Sequence, residues 1–187
     1  MIATLVLALS ADAGAFDVII QGVNLRWLKE RNAVEIVAGA VAAVAVHEAA
    51  HMAAAKLNGH GAELDWNDGP WVWFMGSNDS NYAWDARGGF IGELAVGLAL
   101  NLMPSTRGGD FALGYCGSTT GRLLLYRGHF NSGDFDTLQK NGADAHLEWG
   151  LMIGASAVNL GLGIYNSVDA FRQEPLPEYA PAAEEAK

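Results

Sequence analysis

Residues 44 to 60 read VAVHEAAHMAAAKLNGH: two histidines and a glutamate stand in a run that is otherwise almost all alanine and valine until Lys56 and the Asn58-Gly59 end. His47-Glu48-Ala49-Ala50-His51 is an HExxH. On a helix, positions i and i+4 lie one turn apart on the same face, so both imidazoles reach one metal ion while the intervening glutamate points at water on that ion. Neutral imidazoles holding zinc bring the pKa of its bound water toward ~7, and a carboxylate at this spacing takes that proton as the water attacks a polarised carbonyl. The segment reads as helix because no Gly or Pro falls between Ala40 and Leu57 and helix formers dominate it. Glu48 set among apolar residues costs several kcal/mol unless its charge is paired or coordinated. A bound dication answers that cost; the alternative is a buried, hydrogen-bonded His/Glu cluster that serves packing alone.

Outward from this helix, the chain has 187 residues, enough for one domain with a real core. That domain is expected over residues 1–175, followed by an acidic, Pro- and Ala-rich solvated tail over 176–187. Apolar residues make up 51% and charged ones only 17%, below the ~25% usual in soluble domains, which with a mean hydropathy of +0.13 leans toward a membrane protein. With 11 basic against 21 acidic residues the net charge is −10, which repels nucleic acid and excludes it as a partner. A single cysteine, Cys116, rules out an internal disulfide and any CxxC motif.

Three segments have the length and polarity to cross or enter a bilayer: Ala33 to Leu57, Gly88 to Met103, and Trp149 to about Val168. The stretch FALGYCGSTTGRLLLY (111–126) is too broken by Gly, Ser, Thr and Arg122 to assign, and residues 104 to 146 read as irregular connection with short helices. Between the first two segments, AELDWNDGPWVWFMGSNDSNYAW (62–84) reads as a β-hairpin turning at Asn67-Asp68-Gly69-Pro70 and carrying four of the six tryptophans. Those indoles suit either a ribbon at the membrane interface or a hairpin packed on its own core. At the start, the apolar run before Ala11-Asp12-Ala13 fits a signal peptide with a small-x-small cleavage site, but no Lys or Arg precedes it, so an ordinary apolar N-terminal segment over residues 1–15 stays open. Lys and Arg are spread too evenly to assign an orientation across the membrane.

HEAAHMAAAKLNGHGAELDW (47–66) resembles the first core helix of the site-2 protease family of intramembrane zinc metalloproteases, which read HExxH, then small or apolar residues, then a Gly and a β-hairpin. ARGGFIGELAVGLALNLMP (86–104) is similar to that family's second core helix, with an early small-residue motif and an Asn-x-x-Pro exit at Asn101 to Pro104. With the third apolar segment the resemblance spans residues 33 to 168, tightly at HExxH and loosely elsewhere. It implies zinc bound by His47 and His51, Glu48 as general base, and a third ligand from an aspartate in an Asp-Gly motif that opens the third core helix. This chain departs there: its one Asp-Gly, Asp68-Gly69, belongs to the hairpin. Asp110 follows Pro104 at nearly the family's spacing, while Asp134 precedes the third apolar segment beside a helix start at Ser132 and is the favoured ligand. Glu93, alone in an apolar helix, is the rival in the manner of zincins that use glutamate.

The expected architecture is mainly α: a membrane-embedded bundle of three to four helices with one small β-hairpin, integral to the bilayer. The expected activity is zinc-dependent (Zn2+) hydrolysis of peptide or membrane-protein substrates, with lipid as the other partner. Two alternatives stand beside it: a soluble or exported zincin using Glu93, and a non-catalytic membrane scaffold or accessory subunit. His60, just past the helix end at Asn58-Gly59, reads as a cap or surface residue, His129 and His146 as structural, and Asn159, Asn166 and Asp169 as polar groups between helices or lining a cavity.

Overall fold

The computed structural model describes residues 31–65, 71–75, 82–127 and 133–173, together with short strands at Leu5–Ala8 (β1), Asp17–Ile20 (β2) and Val23–Asn24 (β3). The cleavage pattern at residues 11–13, the hairpin turn at 67–70, His129 and the tail over 176–187 lie outside the described residues. The chain is mainly helical. Its helices are α1 (Ala33–Leu57), α2 (Tyr82–Leu102), α3 (Asp110–Tyr126), α4 (Gly133–Lys140) and α5 (Ala145–Gln173), and strands β4 (Gly61–Asp65) and β5 (Trp71–Met75) fall between α1 and α2. Five helices among the described residues exceed the three to four expected.

Local chemistry sets the ends of α1. Asn32 caps the start by accepting hydrogen bonds from the Val34 and Glu35 amides, and its own amide group returns one to the Glu35 carboxylate. At the other end Gly59, at φ +78°, lets the His60 and Gly59 amides turn back onto the carbonyls of Ala55 and Lys56, a Schellman close. The chain then enters β4, which pairs antiparallel with β5, Gly61 opposite Met75 and Asp65 opposite Trp71. Trp84 does not belong to this ribbon. It sits in the first turn of α2, more than half exposed, with the Arg87 guanidinium over its ring at 5.1 Å.

Helix α2 begins earlier than its apolar run because its polar first turns are paired: Arg87 bonds the Glu148 carboxylate at the head of α5, and Asp85 is bonded to Asn58 and His60. The unassigned stretch 111–126 is the 17-residue α3, so residues 104–146 hold more regular structure than the sequence suggests. Its hydroxyls are absorbed within the bundle: Thr120 bonds the Cys116 carbonyl one turn back and meets Ser156 of α5, and Ser118 reaches the Ala40 carbonyl of α1. Asp144 caps α5 through the amides of His146 and Leu147, which extends that helix four residues ahead of its expected start at Trp149.

Small residues bring the helices together. A Cβ at Gly39 would overlap the Phe111 carbonyl, and one at Gly114 would overlap the Ile36 carbonyl, so α1 and α3 cross backbone to backbone. On α2, Gly88 and Gly92 receive Ala54 and Ala50 of α1. A larger apolar cluster, centred on Phe90, Leu123, Phe135, Leu138 and Met152, locks α4 against α2, α3 and α5.

Candidate metal centre

His47 and His51 occupy successive turns of α1 and are both buried. Their Nε2 atoms lie 3.0 Å apart, and each meets one oxygen of the Asp134 carboxylate, His47 with Oδ2 and His51 with Oδ1, both at 3.1 Å. Among the described residues these three side chains form the one group able to hold a metal ion. Asp134 arrives from the first turn of α4, whose Phe135 and Leu138 are fully buried under α2 and α3.

The opposite ring nitrogens decide what the convergence means. His51 Nδ1 lies 2.7 Å from the Asp85 backbone carbonyl, and His47 Nδ1 lies 3.0 Å from Glu93 Oε2. A carbonyl and a carboxylate only accept, so each Nδ1 donates its proton outward and each Nε2 is left as the atom that can offer a lone pair to a metal. Two such nitrogens and a carboxylate face one another at ~3 Å, a spacing that holds only with a proton or a cation standing among them. A tetrahedral ion with ligand lengths of ~2.0–2.2 Å sets its ligands roughly 3.3–3.5 Å apart, so the triangle is close to what zinc requires and slightly tight. Burial alone would raise the Asp134 carboxyl; with protons rather than a cation at the Nε2 edges, hydrogen bonds from His47 and His51 outweigh it and hold the group below the ordinary carboxylate range.

Space for the imidazoles comes from α2. A Cβ at Gly89 would overlap His51 Nε2, so only glycine at this position leaves the ring where it is. The Phe90 ring meets His47 edge-on at 4.5 Å and closes the apolar side. Glu48, the middle carboxylate of the motif, is buried beside this cluster. Tyr126 borders the same space: its ring packs against Phe90 and Phe135. Burial, then the charge of Asp134, hold its phenol above its ordinary value; Arg122 opposes the shift, and Glu48 and Glu93 reinforce it.

The other sequence candidates fall elsewhere. Asp110 sits at the head of α3, bonded to the Arg31 guanidinium at 2.8 Å and to the Asn32 amide, where it ties α3 to the start of α1. Glu93 lies behind His47, on the ring nitrogen that faces away from Asp134, and is therefore outside the ligand triangle. His60, read as a cap or surface residue, does take part in the helix close. Its side chain, however, is buried, bonded to Asp85 at 2.5 Å. Asn159 and Asn166 bond backbone carbonyls of α2, at Leu94 and Asn101, and hold helices together. Sequence reasoning did not find Asp85, Thr119 or Arg122. The signal for Arg122 was present: one cation in an apolar stretch, matching one carboxylate, Glu93, in another.

Against known proteins, no family model, curated protein or solved structure matches this chain.

Proposed function

We propose that this chain is a membrane-embedded zinc metalloprotease, similar to site-2 proteases, that hydrolyses peptide bonds in or at the bilayer. The observation that carries the reading is the convergence of His47 Nε2 and His51 Nε2, from the HExxH helix, with the Asp134 carboxylate of α4 at 3.0–3.1 Å. Two nitrogens and one oxygen suit zinc, and three protein ligands rather than four leave a position open for a reacting group, the mark of a catalytic rather than a structural site. An ion held there supplies a Lewis acid and a water acidic enough to lose its proton near neutrality. Glu48 is the base that takes this proton and later returns it to the leaving amine. His47 and His51 hold their tautomer throughout because Glu93 and the Asp85 carbonyl keep each Nδ1 protonated.

Membrane embedding rests on α1 and on residues Ala145–Ala170 of α5, both long and apolar enough to cross a bilayer. Only 22% of each hydropathic window is buried inside the bundle, whereas the core helix of a soluble domain is mostly covered. The apolar side chains of Val34, Val37 and Val41 on α1, and of Leu151 and Val158 on α5, face outward where lipid would meet them.

The experiment compares wild type, Glu48→Gln and His51→Ala, purified in detergent, for zinc content and for cleavage of transmembrane-peptide reporters. The expected result is one zinc per chain and cleavage in wild type, zinc without cleavage in Glu48→Gln, and neither in His51→Ala. Zinc in all three with no cleavage by wild type would favour a scaffold with an incidental metal.

A further inference from the structure

We infer that Glu93, clamped by Thr119 and Arg122, is the positioning residue that fixes His47 for metal binding; this rests on the metal-centre reading above and adds a role to it. The Glu93 side chain is fully buried in α2 and its two oxygens do different work. Oε2 accepts from His47 Nδ1 at 3.0 Å, while Oε1 accepts from the Thr119 hydroxyl at 2.6 Å and from the Arg122 guanidinium. The Tyr115 hydroxyl adds a bond to the Glu93 backbone carbonyl at 3.2 Å. Three α3 side chains therefore hold this turn of α2 in place. The carboxylate cannot swing toward Asp134 without abandoning Arg122 and Thr119, and leaving a guanidinium and a carboxylate unpaired in so buried a place is costly.

The two imidazoles are consequently backed unequally. His51 leans on a neutral carbonyl, that of Asp85, whereas His47 leans on an ionised carboxylate whose charge Arg122 offsets. A carboxylate behind a ligating imidazole orients the ring and strengthens its donor nitrogen, and removing such support weakens metal affinity by ~10–100-fold. Glutamine at position 93 has only one oxygen to share. If that oxygen serves Thr119 and Arg122, the amide NH2 faces His47 Nδ1 and favours the tautomer with a proton on Nε2, which cannot ligate.

The test is zinc affinity by chelator competition, with visible spectra of the cobalt-substituted full chain in detergent, for wild type, Glu93→Gln and Thr119→Val, with Asp134→Ala as the ligand-loss reference. Positioning predicts zinc binding weakened by ~10–100-fold in Glu93→Gln, a smaller loss in Thr119→Val, and altered cobalt d–d bands in both, with helical content unchanged. Wild-type affinity and unaltered bands in both variants overturn the inference and leave the metal centre standing. Complete loss of binding by a folded Glu93→Gln, matching Asp134→Ala, overturns it in favour of Glu93 as a ligand. Should Glu93→Gln fail to fold, Thr119→Val decides alone, because it removes one neutral bond and no charge. A wild type that takes up neither metal overturns this inference and the metal-centre reading together.

Discussion

Gly89 is the residue on which the site's geometry turns most sharply, because the space of its missing side chain is filled by the His51 ring. Gly89→Ala is expected to push the imidazole off Asp134, cost about 1–3 kcal/mol from overpacking, and abolish zinc retention, as elemental analysis would register. Gly59 is a different case: nothing crowds it, but its φ of +78° strains any residue with a Cβ. Gly59→Ala should cost about 1 kcal/mol in thermal unfolding and leave zinc bound. At this scale the sequence was legible where chemistry is local. HExxH placed both imidazoles on one helical face, and the helix-start argument favoured Asp134, which the fold brings to them. Glu93 was singled out as expensive, but which nitrogen of His47 it would meet depends on the α2–α1 crossing, and one sequence carries no signal for that.

Protonation follows from the same atoms. A metal on both Nε2 atoms takes the place of any proton there, so zinc uptake should release protons and weaken on acidification, as a zinc titration read with a pH indicator would show. Asp134, held below the ordinary carboxylate range, is not the group that first takes up those protons. In metal-free protein its depressed value works the other way round: the stability it contributes is present above the ordinary range and is lost only as pH falls through the depressed value.

Among the elements, α4 is short, and what it delivers depends on burial rather than on helix propensity. Phe135 is fully buried against Phe90 and Tyr126, immediately beside Asp134. Phe135→Ala should cost about 3–5 kcal/mol and release zinc with the first turn of α4, although no ligand has been touched. A melting curve with parallel metal analysis checks both halves of that expectation. The limits of α1 were readable because apolar composition, Asn32 and Asn58-Gly59 all agree. Helix α3 was not readable, since its Gly, Ser, Thr and Arg argue against a helix until α1, α2 and α5 are there to receive them.

For the whole molecule, outward-facing valines and leucines on α1 and α5 and helix contacts made through Gly, Ala, Asn and Ser are the pattern expected when lipid is the solvent. The chain is expected to stay in the membrane pellet after a carbonate wash and to enter solution only with detergent; release by carbonate would instead indicate that these faces cover one another or a protein partner. That a bundle surrounds the HExxH helix could be foreseen from hydropathy alone. The way α4 closes over it could not, because α4 is the least apolar of the helices and its role lies in two buried side chains.

The most direct test of the central claim is an anomalous difference map at the zinc absorption edge, from crystals of protein incubated with zinc. The account predicts one peak within ~2.0–2.2 Å of His47 Nε2, His51 Nε2 and an Asp134 oxygen, with Glu93 still on His47 Nδ1. A map without a peak there, or with the imidazoles turned apart, would contradict it.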